Sequence, residues 1–139
     1  MRKERNELRA EEYLDQVKKL DAIIENKEEE YSRLIELASG MGNFSVSERV
    51  QSSRDLHRSE NTIAKYIDLE REINSLKKRR SEIIKTIERL PSVEYYIIYK
   101  IFVGDYTLKE IAYDYKRSYE WAKKKKRKAL RLIQQMIDE

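Results

Sequence analysis

Nine of the sixteen residues from Lys116 to Arg131 are lysine or arginine and one, Glu120, is acidic, a local charge of +8. Such a patch attracts a polyanion and gains from the counterions released on contact. The rest of the chain does not share it. Residues 1–90 balance 19 Lys/Arg against 19 Asp/Glu, whereas residues 91–139 hold 11 against 7, so the net +4 of the 139-residue chain lies in its last third. Other chemistry is poorly supplied. There is no Cys and one His, which excludes thiol nucleophiles, Cys-based zinc sites and multi-His metal sites, and leaves His57 as the only route to Ser-His-Asp catalysis. No acid, base and nucleophile converge in the pattern, so no enzyme, catalytic residue, metal or cofactor is expected. His57 reads as a solvated loop histidine.

The basic residues need an element to position them. After Pro91, Ser92–Val103 carries Ile97, Ile98, Ile101 and Phe102 as an amphipathic helix that Gly104-Asp105 breaks. Thr107 caps a short helix, 108–115, with Leu108, Ile111, Ala112 and Tyr115 on one face. A turn at Lys116-Arg117 leads to Ser118, an N-cap for a last helix reaching about Ile137. A short helix, a tight turn and a longer helix form a helix-turn-helix, whose second helix enters the DNA major groove. At about 100° per residue, Ala122, Ala129, Ile133 and Met136 share the packing side of that helix. Glu120, Lys124, Arg127 and Arg131 point the opposite way, Lys123 and Lys128 lie on the flanks, and Lys125 and Lys126 fall at the core margin, where their stems can snorkel. Tyr119, Glu120, Lys123 and Lys124 are thus placed for base edges, and Arg127 for a guanine or a phosphate. Lys116, Arg117, Lys128 and Arg131 suit phosphates, and Thr107 with the amides of its helix suits another. Seven of the ten tyrosines fall between Tyr95 and Tyr119. Tyr99, Tyr113 and Tyr115 are expected in a small core, with Tyr119 outside it.

The neutral part has a different pattern. Ala10, Tyr13, Val17, Leu20, Ile24, Lys27, Tyr31, Leu34 and Ala38 alternate spacings of three and four, a heptad seam along a helix over residues 4–38. Tyr66, Leu69, Ile73, Leu76, Arg80, Ile83, Ile87 and Leu90 repeat it over 60–90, from an N-cap at Ser59 or Asn61 to the stop before Pro91. The two pair as an antiparallel, coiled-coil-like hairpin. Leu14, Ile23, Ile35, Leu37, Ile63, Ile67 and Ile84 flank the seams. Either the C-terminal part or a second copy, making a homodimer, must cover them. Residues 39–58 form a long loop, with Gly40 and Gly42 ending the first helix. Three Gly and one Pro in all leave little turn chemistry for a sheet protein. No run of about 18 apolar residues is present to span a membrane.

Residues 90–132 resemble region four of bacterial RNA polymerase sigma factors: Leu90-Pro91, Ile97-Ile98, Phe102, Gly104, TLKEIA at 107–112, Ser118, Ala122, and Ala129-Leu130 followed by Leu132. With RVQSS at 49–53 and IAKYIDLEREIN at 63–74, the whole chain resembles the RinA/ArpU-type regulators of late phage transcription. Lys116 stands where that turn usually has Gly, Arg117 where an apolar residue is usual, and Lys125 where an aliphatic one is common. The resemblance implies promoter binding and contact with bacterial RNA polymerase, in the cytoplasm of a bacterial host at its nucleoid. Nothing resembles the sigma regions that melt DNA.

The expectation is therefore an all-α chain: a hairpin over 1–90 for oligomerisation or partner binding, then a helix-turn-helix DNA-binding domain over 91–139. The function expected is sequence-specific binding of double-stranded DNA in transcription regulation, by a phage or prophage protein. Two alternatives are a DNA-packaging adaptor like a small terminase subunit, and a coiled coil that binds RNA polymerase without reading DNA. In small terminase subunits the DNA-binding module typically precedes the coiled helices, and here it follows them.

Overall fold

The computed structural model describes the backbone of residues 2–41 and 53–139, and side chains over 9–39 and 60–139. Five helices account for nearly all of it: α1 (Arg2–Met41), α2 (Ser53–Glu88), α3 (Ser92–Phe102), α4 (Leu108–Asp114) and α5 (Tyr119–Ile137). Among the described residues there is no strand, so the fold is all-α.

Two helix limits differ from the expected ones by more than two residues. α1 runs through Gly40 to Met41, since one glycine costs a helix only about 1 kcal/mol. α2 begins at Ser53, because residues 53–59 hold no Gly or Pro to stop it. Ser59 and Asn61 are therefore inside the helix, and the connection is shorter than 39–58. His57 lies on helical backbone, not in a loop; its side chain, Gly42 and the remaining connection fall outside the described residues.

By packing, the chain divides into two compact units, Met1–Asp21 with Arg79–Glu139, and Ala22–Lys78. In the second unit the seam residues Ile24, Leu69 and Ile73 are buried. The polar intruder Lys27 is held by Glu72 at 2.7 Å, Lys77 meets Glu28 at 2.8 Å, and Tyr31 stands edge-on to Tyr66. Ile35, Leu37, Ile63 and Ile67 remain exposed.

In the first unit, the ends of α1 and α2 pack with α3, α4 and α5. Its core holds Ala10, Leu14 and Val17 from α1, Ile83 and Ile87 from α2, Ile97, Ile98 and Phe102 from α3, Ile111 and Ala112 from α4, and Ala122, Ala129, Leu130 and Ile133 from α5. Leu14, a flanking residue by heptad, is fully covered here. The second polar intruder, Arg80, donates to Asp21 at 2.5 Å, and the Tyr13 hydroxyl reaches that of Thr86 at 3.0 Å. A charged residue on a seam is thus accommodated by an acid of the facing helix, a device that fixes register.

Candidate nucleic-acid interface

The link from α4 to α5 is built from local backbone chemistry. Thr107 Oγ1 accepts the Glu110 N–H at 3.2 Å, and the hydroxyl donates to the Glu110 carboxylate at 3.2 Å. At the other end of α4, the Arg117 N–H reaches the Ala112 carbonyl at 2.9 Å and the Lys116 N–H that of Tyr113 at 3.1 Å. Those two bonds are a Schellman closure, with Lys116 in its left-handed position at φ 54°. Ser118 then caps α5, its Oγ accepting the Trp121 N–H at 3.1 Å. The preceding turn uses its glycine differently. Gly104 does not have a positive φ, and Asp105 takes the left-handed conformation at 64°. A Cβ on Gly104 would lie 3.0 Å from the Lys100 carbonyl and 3.1 Å from the Tyr106 ring, so close approach, not a positive φ, is what favours glycine there.

α5 shows its two faces as the 100° wheel orders them. Ala122, Ala129 and Ile133 are buried, joined by Leu130 and Gln134, while Met136 is half-buried. Glu120, Lys124, Arg127 and Arg131 are exposed, and Lys123 is half-buried. Lys116, Arg117, Ser118 and Tyr119, from the turn and first turn of α5, are exposed as well. Lys125 and Lys126 sit half-buried at the margin. Lys126 Nζ is 3.4 Å from Glu11 and lies over the Phe102 ring, so its stem covers core while its head finds a carboxylate. The Thr107 hydroxyl is engaged by its own helix, and the Glu110 carboxylate stands beside the amides that were to hold a phosphate.

Aromatic packing departs from expectation. Tyr113 is 84% exposed and Tyr99 also faces solvent; neither belongs to the core. Tyr113 follows Ile111 by two positions, which turns it about 200° from the buried stripe of α4. Tyr115 alone of the three is partly covered, set edge-on to Tyr96 and 5.3 Å from Trp121. Burial pushes the Tyr115 hydroxyl up, and Tyr96 adds to it. The Arg117 guanidinium lies over Trp121 at 5.7 Å, and Lys100 lies against the rings of Tyr96 and Tyr106.

Sequence reasoning missed Glu94. It is 3% exposed, and its Oε1 lies 3.6 Å from Lys125 Nζ and 3.5 Å from Lys128 Nζ. Burial would push its carboxyl up, but its own backbone N–H together with Lys125 and Lys128 outweighs that and holds it below the usual carboxylate range. The signal was present: Glu94, Ile97, Ile98 and Ile101 are spaced i, i+3, i+4, i+7, an acid inside an apolar stripe. Among the described residues, no cluster of three or more His, Cys, Asp or Glu is placed to hold a metal. No described helix is long and apolar enough to cross a membrane.

Comparison adds no relative to this geometry: no family model, no curated protein and no solved structure matches the chain.

Proposed function

We propose that the chain is a sequence-specific regulator of transcription that binds double-stranded DNA through a helix-turn-helix made of α4, the Lys116-Arg117 turn and α5. The observation that carries this reading is the outward face of α5. Lys124 and Arg127 are exposed on a helix whose other side is locked into the core, and a capped turn presents its N-terminal end. Tyr119, Glu120, Lys123 and Lys124 read base edges, Arg127 reads a guanine or a phosphate, and Lys116, Arg117 and Arg131 position the backbone. Glu120 discriminates by accepting from a cytosine amino group. The antiparallel α1 and α2 form the hairpin that supports dimerisation, and the likeness to sigma region four and to RinA/ArpU-type phage regulators supports action at promoters with host RNA polymerase.

Selection of duplexes from a random pool, followed by binding measurements, tests this. An enriched motif is expected, and Lys124→Ala should cost about 1–3 kcal/mol on that motif with a smaller loss on unrelated duplex. No enrichment, or equal losses on both, would overturn the reading. Occupied sites mapped in a bacterial host then separate promoter action from packaging: upstream regulatory sites are expected, and a single packaging site would favour the terminase-like alternative.

A further inference from the structure

Lys125 and Lys128 belong to the basic run, yet both ammonium groups are drawn to one oxygen beneath the surface. The Lys128 side chain is 59% exposed and within reach of solvent, but the side chain of Glu94 that it approaches is only 4% exposed. A carboxylate at that depth is costly without its partners. A phosphate that recruited Lys128 would strip Glu94 of one of its two cations, so the polyanion must compete with a group that cannot turn to water instead. Lys126 is engaged separately, by Glu11. Three of the six consecutive cations at 123–128 therefore face carboxylates of the same unit, while Lys123, Lys124 and Arg127 do not, among the described residues.

We infer that Glu94 is a positioning residue that withholds Lys125 and Lys128 from DNA phosphates and thereby sets how many cations the ridge of α5 offers. The inference rests on the DNA-binding reading above. It makes the local +8 an overstatement of what a duplex meets, and it favours contacts from the first turns of α5, where base edges are read, over indiscriminate attraction along the helix. A carboxylate outside the interface then limits nonspecific affinity without touching a base.

The test measures how the affinity of the full chain for a short DNA duplex, and separately for heparin, falls with salt. Each phosphate contact contributes about 0.9 to the slope of log K against log salt. Glu94→Gln should bind both polyanions more tightly and steepen the duplex slope by up to about 1.8. Lys128→Gln should leave the wild-type slope unchanged but remove about 0.9 from that of Glu94→Gln. Equal slopes for wild type and a folded Glu94→Gln would overturn the inference. If Glu94→Gln does not fold, Lys128→Gln in the wild-type chain decides: an unchanged slope supports the inference and a loss of about 0.9 overturns it. Heparin binding that follows this pattern without any duplex binding removes the DNA-binding reading and overturns the inference for DNA, leaving only that Glu94 withholds the two lysines from a sulfated polyanion. Binding to neither polyanion removes both.

Discussion

A lysine in a left-handed position is an uncommon choice, and Lys116 carries it at φ 54° at the tightest point between α4 and α5. A side chain with a Cβ is strained there by up to about 1–2 kcal/mol, part of which glycine would relieve. The two bonds that close the α4 terminus over-determine the conformation, so the strain persists. What the residue supplies in return is an exposed cation beside the N-terminus of α5. Lys116→Gly is therefore expected to raise the urea midpoint, by roughly 0.5–1 kcal/mol in stability, while lowering the salt slope of DNA binding by about 0.9. Gains in both stability and affinity would show that Lys116 plays no part in binding.

At the scale of elements, α3 joins a buried acid to the basic helix α5. Because Glu94 has a depressed pKa in the fold, its contribution is fully present above the unfolded carboxylate value and is lost as pH falls through the lower folded one. The thermal midpoint of the wild type should exceed that of Glu94→Gln at neutral pH, and the gap should close as pH falls below about 4. A gap that stays constant down to strongly acidic pH would assign the difference to shape, not charge. α1 offers a second contrast. Leu14 is fully buried and Leu37 is 54% exposed, although both flank the same heptad seam. Leu14→Ala should cost about 2–5 kcal/mol, and Leu37→Ala no more than about 0.5, by chemical denaturation.

At the scale of the whole molecule, the flanking residues differ in cover, Ile23 and Ile84 being half-buried in their respective units. Leu14 is enclosed by the unit that contains Arg79–Glu139, while Ile35, Leu37, Ile63 and Ile67 stay exposed in the unit spanning Ala22–Lys78. The proposed homodimer would bury that exposed set. Sedimentation of the full chain is expected to give a dimer that Ile63→Lys and Ile67→Lys together convert to a monomer. A wild-type monomer at high micromolar concentration would remove self-association from the proposed function and leave the apolar residues to a different partner.

By itself the sequence determined the helices, their seams and the two faces of α5, because apolar periodicity and capping are local. Val17, Leu20, Ile24, Leu69, Ile73, Ile83 and Ile87 are buried as the heptads require, and Thr107 and Ser118 cap the helices they precede. Where punctuation was absent, as at Ser53, or too weak to stop a helix, as at Gly40, the limits of the helices moved. Tertiary structure alone decided which charges remain available. Lys125, Lys126 and Lys128 look alike in a basic run, yet Glu94 and Glu11 engage them from positions 31, 34 and 115 residues away in the chain. Helical spacing assigns a side chain its direction, but only packing decides what waits there. For a charge the difference matters most where the partner is buried, because a carboxylate held out of water attracts a cation through a lower dielectric and is costly to leave unpaired.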